Sequence, residues 1–542
     1  MSETTYVSLA LTEKDHRHYE EALSTFEKEL GADYRSITVG YGSVQNDARW
    51  IISRNPANTE QVVARFVEPN SLQVEQVIID AKNLSSEIES MGWTKRLEIL
   101  TLAAKLVNQK KYHIAAILTY EAGKTRIEAL AEVNEVIAMI NNYRELLYNQ
   151  SYYTHIFTGE KSLEKSFSQM RALGGPTAVI VPFNFPFALA AGMSMAAFLA
   201  GNSVVFKPSE QCPLSTLQWR DIMIESGVPK KACGFLVGSG EVVGEQLVRD
   251  KDIAAVAFTG SLAVGKKIMA VHNELWQKNI FRLTPVMEMG GSNAVIVTKS
   301  ADFQSAAEGI LKSVLGYSGQ KCSAARRLIC VGKETAEAIH KLIYYLVKNG
   351  FPGGQQLVLG DPKYRETYLG PLISSEAVHI YHRLGDAFEI NGKSPFGLSN
   401  DILDEEGFLD TETLGRGNFV LPIMVGGKPT KKMKEIEYFM PVLFAQSEVS
   451  LEATVQEAND TPYGLTAGLF SQDEKEIEYF LNRIEAGSVY INRSSGATTG
   501  CWPGVQTFGG WKGSGSTGKN AFGKWYILNF LREQNVTRVF PV

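Results

Sequence analysis

The stretch TAVIVPFNFPFALAAGMSMAAFLAGNSVVFK, residues 177–207, decides the fold class of this chain. Its two ends are short apolar runs typical of buried strands, and the small residues between them predict a helix. From Ala172 to Phe206 there are 35 residues without a charge, which raises the alternative of a transmembrane span. Because Gly and Pro residues divide this run into short segments, we favour a βαβ unit of a parallel sheet.

Further strands alternating with helices are predicted downstream of this unit, which is typical of a doubly wound α/β fold. Upstream, residues 74–149 have the periodicity of long amphipathic helices, and residues 1–45 are predicted to form an extension, helical and then irregular. The predicted strands are Ala178–Val181, Ser203–Phe206, Gly234–Val237, Ala254–Phe258 and Ala294–Val297, followed by RRLICVG, AGLFS and GSVYINR.

Composition excludes several classes of protein. The 542 residues include 54 Lys and Arg and 59 Asp and Glu, which gives a formal net charge of −5. Proteins that bind nucleic acids or membrane surfaces through basic residues carry a basic face, so we expect neither partner. Five scattered cysteines do not suit a disulfide scaffold, and the N-terminus has no leader pattern. We therefore expect a cytoplasmic protein with reduced thiols.

Three residues have the chemistry of a catalytic site. Cys322 lies in a turn beside Lys321, whose charge is expected to lower the thiol pKa and produce a nucleophile. Glu288 lies among apolar residues before a Gly pair, where burial would raise its pKa towards that of a general base. Asn184 ends a predicted strand between two prolines and could donate to an oxyanion. The alternatives are a buried inert cysteine, which suits the other four cysteines, a surface carboxylate and a turn-forming amide.

Three segments at strand ends are candidates for a cofactor site. A strand followed by a glycine turn and a helix N-terminus is an arrangement that binds phosphate, although no G-x-G-x-x-G pattern is present. A glutamate at a neighbouring strand end could bind ribose hydroxyls, and a solvated loop is the alternative. The candidate residues are Gly240 and Gly244, then Phe258, Thr259, Gly260 and Ser261, and at the other strand end Lys207, Ser209 and Glu210.

No metal site is predicted. His16 and His18 lie in the extension, and His379 and His382 share a mixed polar segment without cysteine or carboxylate partners at metal spacing. The chain also lacks the G-x-S-x-G pattern of a serine hydrolase.

The order and wording of these segments resemble the aldehyde dehydrogenase superfamily over residues 50–535. The resemblance implies a Rossmann-type cofactor domain, an α/β catalytic domain and a small β-flap for oligomerisation. The matching segments are PFNFP, VVFKPSEQCP, FTGSLAVG, MEMGG, GQKC, EYFMPVL, ANDTPYGLTAGLFS and FGGWKGSG.

The resemblance implies a role for each matching residue. Cys322 would attack the aldehyde, Asn184 and the Cys322 backbone N–H would hold the oxyanion, and Glu288 would activate the water that hydrolyses the thioester. NAD would accept the hydride. The implied cofactor contacts are Lys207 and Glu210 at the adenosine ribose, Gly260 and Ser261 at the pyrophosphate, and Glu437 and Phe439 at the nicotinamide ribose.

More narrowly, GYSGQKCSAARR and TFGGWKGSGSTGK resemble the 1-pyrroline-5-carboxylate dehydrogenases, which oxidise L-glutamate γ-semialdehyde in proline catabolism. The resemblance implies that Ser323, Gly496 and Ala497 bind the substrate carboxylate, and that Phe185 and Phe508 sandwich its aliphatic chain.

The chain departs from that subfamily at two places. Ser292 stands where the family usually has Lys, and about four extra residues lie at 501–504. Aminoadipate semialdehyde, succinate semialdehyde or another acidic aldehyde is therefore the alternative substrate. A coenzyme-A-dependent acylating relative and a non-catalytic scaffold are the alternative functions. The presence of Glu288 counts against the first, which needs no base for water, and the presence of both Cys322 and Glu288 counts against the second.

From the resemblance we expect a homodimer or larger homo-oligomer, assembled through flap strands and the C-terminal strand Asn535–Val539. NAD is favoured over NADP because Glu210 would repel a 2′-phosphate, although NADP stays possible. The expected domains are an extension at 1–45, a cofactor domain at 46–287 interrupted by flap strands near 151–171, a catalytic domain at 288–500, and an anchor loop with the C-terminal strand at 501–542.

Overall fold

Two parallel sheets form the centre of the molecule, whose structure is a computed structural model describing residues 10–34, 49–149, 154–157, 164–387, 411–494 and 500–539. The first sheet has five strands and the second has six, and every strand pair in both is parallel. The predicted doubly wound α/β architecture is confirmed.

The five-stranded sheet contains the βαβ unit predicted from the sequence. Thr177–Ile180 lies in its centre, and the chain winds outwards from it in both directions. This order creates a crevice at the carboxyl ends of the strands, beside the central strand, where such sheets bind ligands. From one edge to the other the strands are Val286–Met289, Ala255–Gly260, Thr177–Ile180, Val204–Lys207 and Cys233–Phe235.

The six-stranded sheet carries the second predicted series of strands. RRLICVG, AGLFS and GSVYINR all lie in it, as predicted. In spatial order its strands are Ile423–Gly426, Val442–Glu448, Ala325–Val331, Asn293–Val297, Thr466–Phe470 and Ser488–Ile491.

Helices cover both sheets. The uncharged segment Ala188–Leu199 is one of them, and it packs on the strands of its own βαβ unit and against neighbouring helices. Among the described residues, no helix is long and apolar enough to cross a membrane. The remaining helices are Glu13–Phe26, Ser71–Asn83, Ser85–Ser90, Gly92–Gln109, Lys111–Ala122, Arg126–Asn149, Pro213–Glu225, Glu245–Arg249, Leu262–Gln277, Phe303–Leu315, Lys333–Asn349, Ser375–Ala387, Thr411–Arg416, Lys431–Lys434, Leu451–Asn459 and Glu474–Arg483.

The described part of the N-terminal extension is joined to the main core. Thr12 caps the helix Glu13–Phe26 with a reciprocal hydrogen bond to Asp15. Tyr19 is fully buried, and its hydroxyl donates to the backbone carbonyl of Ala115 at 3.0 Å. The helix therefore packs as part of the fold rather than standing apart from it.

Three smaller arrangements with antiparallel strand pairs complete the fold. Strands Trp50–Asn55 and Asn58–Val67 form a hairpin that the sequence analysis did not predict, and Ala32–Asp33 joins it in parallel. The flap sheet consists of Thr154–Phe157, Glu164–Ala172 and Leu531–Val539, so the predicted C-terminal strand begins four residues earlier than expected. A two-residue pairing joins Tyr463–Gly464 to Trp511–Lys512.

One predicted domain boundary needs correction. Glu288 was expected to open the catalytic domain, but its strand Val286–Met289 pairs with Ala255–Gly260 at the edge of the five-stranded sheet. A boundary at 288 would cut a hydrogen-bonded strand. We propose instead that the change of domain lies between Met289 and Asn293, where the next sheet begins.

Candidate active site

A cavity of about 450 Å³ brings together strand ends of the five-stranded sheet and loops from distant parts of the chain. All three predicted catalytic residues, Cys322, Glu288 and Asn184, line it. Eight further residues predicted for cofactor or substrate binding lie on the same walls, namely Phe185, Thr259, Gly260, Ser261, Ser323, Glu437, Phe439 and Phe508.

The turn before Cys322 is held in an uncommon backbone conformation. Tyr317 and Ser318 have φ values of 52° and 51°, a region that residues with a side chain rarely adopt. The Tyr317 hydroxyl donates to the Ala122 carbonyl at 2.5 Å, and the Ser318 hydroxyl donates to the Gly370 carbonyl at 2.6 Å. The buried Arg326 guanidinium donates to the Gly319 and Lys321 carbonyls. These contacts fix the loop that presents the thiol.

The expected low pKa of the thiol is wrong. Burial, the largest cause, and the nearby carboxyl groups of Glu437 and Glu288 together raise the pKa of Cys322 to about 12. The ammonium of Lys321 forms an ion pair with Glu128 at 3.2 Å, and this carboxylate balances its charge. The thiol therefore needs a base in the site to remove its proton.

Glu288 has the properties of that base. Burial raises its pKa to about 8, against the opposite effect of a hydrogen bond from the Gly510 backbone N–H. Its Oε2 is shielded from solvent and accepts no hydrogen bond from the residues that the structure describes. The alternative of a surface carboxylate is excluded, because the side chain lines the cavity.

The FGGWKGSG segment supports the strand that carries Glu288. The backbone N–H of Met289 donates to the Ser514 carbonyl at 2.9 Å, and that of Ser516 donates to the Met287 carbonyl at 3.2 Å. The Ser514 hydroxyl also donates to the Gly290 carbonyl at 2.6 Å. A sequence motif more than 200 residues away thus fixes the position of the candidate base.

Asn184 links its own loop to the loop of the nucleophile. It is 4% exposed, and its Nδ2 donates to the Gln320 carbonyl at 3.2 Å, two residues before Cys322. An amide nitrogen carries two hydrogens, so Asn184 can keep this bond and donate a second one to an oxyanion.

The strand, glycine turn and helix start predicted at Gly260 and Ser261 are present in the structure. The strand Ala255–Gly260 leads directly to the helix Leu262–Gln277, and the Ser261 hydroxyl caps that helix by accepting from the Val264 N–H. A Cβ atom at Gly260 would lie 2.5 Å from the Phe258 ring, so only glycine fits at this turn. The helix N-terminus can hold a pyrophosphate through backbone N–H groups.

The remaining predicted cofactor residues do not line the cavity. Lys207 ends the strand Val204–Lys207, and its buried ammonium lies 3.8 Å from the Glu210 carboxylate. Burial lowers the pKa of Lys207. The turn Gly240–Gly244 contacts the same lysine, because a Cβ at Gly244 would lie 3.4 Å from its Cε. Ser209 accepts from the Gln211 N–H at 3.3 Å in the same corner.

Glu437 reaches the cavity through a gap that glycine leaves open. Its Oε1 accepts from the Gly291 N–H at 3.0 Å, and burial raises its pKa to about 7. Phe439, two residues on, meets the Phe183 ring edge-to-face with centroids 5.7 Å apart.

Three of the five residues predicted to bind the substrate lie in the cavity wall. Phe185, Ser323 and Phe508 line the cavity with Cys322, whereas Gly496 and Ala497 lie outside the described residues. The extra residues at 501–504 belong to a compact turn. In it the Trp502 carbonyl accepts from the backbone N–H groups of Val505 and Gln506.

Cys501 corrects another expectation. It was grouped with the buried inert cysteines, but it is half-buried and lies in the cavity wall. Its thiol donates to the Thr507 carbonyl at 3.0 Å and so closes the turn that precedes Phe508.

Sequence reasoning missed Glu135, which also lines the cavity. It lies on the helix Arg126–Asn149, three residues after Glu132 and seven after Glu128. That spacing places all three carboxylates on one face of the helix, and this helical periodicity could have identified Glu135 from the sequence. In the part of the chain that the structure describes, no group of acidic, His or Cys residues could hold a metal ion.

Comparisons with known proteins agree with this geometry. Residues 43–536 match the model of the aldehyde dehydrogenase family. A 1-pyrroline-5-carboxylate dehydrogenase of Staphylococcus aureus strain MW2 is 30% identical over 524 residues, which cover 96% of each chain.

Two solved structures show the same fold. A 1-pyrroline-5-carboxylate dehydrogenase from Thermus with bound NAD superimposes with a TM-score of 0.86, at 29% identity and 98% coverage of both chains. A betaine aldehyde dehydrogenase from Staphylococcus aureus in complex with NAD⁺ has a TM-score of 0.81 at 24% identity, covering 96% of this chain and 97% of the other, and supports the fold alone.

Proposed function

The chain belongs to the aldehyde dehydrogenase family, an NAD-dependent class of aldehyde oxidoreductases, and we propose that its reaction is the oxidation of L-glutamate γ-semialdehyde to L-glutamate. The observation that carries this proposal is the shared cavity, in which Ser323, Phe185 and Phe508 surround the approach to Cys322. A substrate with a carboxylate at one end and an aldehyde at the other suits such walls. The Staphylococcus and Thermus relatives carry the same enzyme name.

Cys322 begins the proposed reaction. Its thiol proton passes to Glu288, directly or through water, because both groups line one cavity and the pKa of Glu288 is about 8. The sulfur then bonds to the aldehyde carbon, and the carbonyl electron pair moves onto oxygen. Asn184 and the Cys322 backbone N–H donate to this oxyanion.

The residues around the crevice fit a dinucleotide. NAD, when bound, supplies the acceptor for the hydride that leaves the thiohemiacetal carbon. In the proposed arrangement, Lys207 and Glu210 hold the adenosine ribose with Ser209, Gly240 and Gly244 in the same corner. Phe258, Thr259, Gly260 and Ser261 shape the pyrophosphate site, and Glu437 and Phe439 hold the nicotinamide ribose.

Glu288 completes the proposed cycle. Loss of the hydride leaves a thioester on Cys322, and Glu288 releases the thiol proton to solvent. Its carboxylate then takes a proton from water as the water oxygen bonds to the thioester carbon. The carbon–sulfur bond breaks, and the carboxylic acid product leaves with the thiolate restored.

Glu135 adds support for an amino acid semialdehyde. Its carboxylate lies in the cavity wall with Phe185 and Phe508, so it can attract the α-ammonium group that glutamate semialdehyde carries. Succinate semialdehyde has no such group. A preference for glutamate semialdehyde over succinate semialdehyde is therefore part of the proposal.

The flap sheet supports a proposed homodimer. Leu531–Val539 is an edge strand, and seven of its nine residues are exposed in the isolated chain, Arg532, Glu533, Gln534, Asn535, Thr537, Arg538 and Val539. An exposed edge strand offers unpaired backbone groups to a second copy. Light scattering on the eluting peak of a sizing column would test this, and a monomer mass would contradict it.

The function is tested by NADH production with a panel of aldehydes. Glutamate semialdehyde, succinate semialdehyde, propanal and benzaldehyde are compared with NAD and with NADP. The proposal expects the highest kcat/KM for glutamate semialdehyde with NAD. A higher value for propanal or benzaldehyde would contradict the carboxylate-binding role of Ser323 and leave the family chemistry in place.

A further inference from the structure

A buried ion pair lies behind the cavity wall and contacts both catalytic loops. The Nζ of Lys124 lies 2.7 Å from the Oε2 of Glu132, and both side chains are at most 1% exposed. Burying a charge costs desolvation free energy, so a buried ion pair needs further contacts to offset that cost.

The lysine end of the pair contacts two aromatic rings. Its ammonium lies 3.6 Å from the centroid of the Phe185 ring and 4.7 Å from that of Tyr317. A cation over a ring face is attracted by it, more strongly when water is excluded. Phe185 lines the cavity, and Tyr317 belongs to the left-handed turn that leads to Cys322.

The glutamate end holds the loop that contains Asn184. Oε1 of Glu132 accepts from the backbone N–H groups of Phe187 and Ala188, both at 3.0 Å. These groups open the helix Ala188–Leu199, where a carboxylate is favoured by the helix dipole. One carboxylate therefore fixes the chain just after Asn184 and Phe185.

We propose that the Lys124–Glu132 pair positions the oxyanion-donor loop against the nucleophile loop, and that it acts on the reaction through Phe185 and Tyr317. The inference rests on the proposed roles of Asn184, Phe185 and Cys322. Neither Lys124 nor Glu132 lines the cavity, so both are positioning residues.

The charged groups around the Lys124–Glu132 pair favour a positioning role over a role in core packing alone. Burial lowers the pKa of Lys124, and Glu132 counteracts this by holding the ammonium form. A second pair, Lys321 with Glu128, joins the residue before Cys322 to the same helix, Arg126–Asn149. Two ion pairs thus tie the nucleophile loop and the Phe185 loop to one rigid helix.

The first test replaces Lys124 by Met, which keeps an apolar chain and removes the charge. We expect kcat to fall about tenfold or more with every aldehyde that the wild-type protein oxidises, because small displacements of reacting groups are costly. The Kd for NAD should stay within about twofold of the wild-type value, since the pair does not contact the proposed cofactor residues. An unchanged Kd also shows that the variant is folded.

Glu132→Gln is the second variant, for use if Lys124→Met does not fold. It keeps an acceptor for the Phe187 and Ala188 N–H groups and removes only the charge. Glu121→Gln is its matched control. Glu121 is another buried carboxylate that accepts two backbone N–H groups at a helix start, from Leu214 and Ser215, but it lies outside the cavity wall. We expect a fall in kcat for Glu132→Gln and none for Glu121→Gln.

A double-mutant cycle separates positioning from a general loss of stability. If Lys124 acts through the Phe185 ring, Lys124→Met and Phe185→Leu together should reduce kcat by much less than the product of their single effects. Multiplicative effects, or a folded Lys124→Met protein with wild-type kcat, would overturn the inference. A wild-type protein that oxidises propanal but not glutamate semialdehyde would contradict the proposed substrate instead, and the Lys124 comparison would then be made with propanal.

Discussion

Gly290 leaves room for the carboxylate of Glu437, since a Cβ atom at position 290 would lie 2.0 Å from its Oε2. Glu437 comes from the segment before the strand Val442–Glu448, whereas Gly290 follows the edge strand of the other sheet. The absence of a side chain at Gly290 therefore lets the segments beside the two sheets meet at the proposed nicotinamide site.

We predict that Gly290→Ala weakens NAD binding. The added methyl group must displace Glu437 and break its bond to the Gly291 N–H, so the Kd for NAD should rise about tenfold, as for loss of one hydrogen bond to a charged group. Calorimetric titration would measure it. Gly426→Ala is the control, because no atom lies within 4 Å of its added Cβ, and an equal loss in that variant would contradict the explanation.

Cys322→Ala should abolish oxidation and leave NAD binding intact. Without the sulfur no covalent intermediate forms, so kcat/KM should fall by about four orders of magnitude or more. Cys330→Ala, in the buried strand Ala325–Val331, is the control and should keep its activity. Turnover at the wild-type rate in Cys322→Ala would show that another residue is the nucleophile.

The pH dependence of steady-state turnover follows from Glu288. A general base must be ionised, and its pKa is raised to about 8, so the carboxylate fraction falls as the pH drops below this value. Where deacylation limits the rate, turnover should fall about tenfold per pH unit below the pKa and level off above it. A rate that is flat between pH 6 and about 9 would argue against this assignment.

Glu437 should slow the alkylation of Cys322. Its carboxylate is one cause of the raised thiol pKa, and at pH 8 it is ionised because its own pKa is about 7. Removal of a neighbouring like charge lowers a pKa by about one unit, so Glu437→Gln should react about tenfold faster with iodoacetamide at that pH. Glu452 is exposed on the helix Leu451–Asn459, so Glu452→Gln serves as a surface control. An equal rate in both variants would contradict the electrostatic explanation.

Ser323→Ala should discriminate between substrates. If the hydroxyl binds the substrate carboxylate, its loss should raise KM for glutamate semialdehyde about tenfold and leave KM for propanal nearly unchanged. Steady-state kinetics with both aldehydes would measure the difference. Equal changes for the two substrates would remove Ser323 from the carboxylate site.

The sequence predicted what depends on local pattern. The strands at 177–180 and 204–207 and the helix between them follow from apolar runs divided by Gly and Pro. The gathering of Cys322, Glu288 and Asn184 in one cavity came from the ordered motifs of a family, since no local pattern brings three distant segments together.

What the sequence did not predict depends on distant partners. The charge of Lys321 is balanced by Glu128, which lies 193 positions away in the chain, so adjacency to Cys322 was misleading. The four-residue strand Val286–Met289 is too short to show a period, and its support from Ser514 and Ser516 is equally remote. Cys501 lies in the cavity wall because a seven-residue turn places it there, and amino-acid composition does not predict that turn.

The central claim, that Cys322 carries an acyl group which Glu288 then releases to water, is tested most directly by mixing Glu288→Gln protein with NAD and propanal and following NADH through the first turnover. The account predicts that NADH rises to one equivalent per active site, more slowly than in the first turnover of the wild-type protein because the thiol has also lost its base. It further predicts still slower turnover afterwards and a propanoyl group on the peptide that contains Cys322. Steady turnover at the wild-type rate without a burst, or an acyl group on a different peptide, would contradict it.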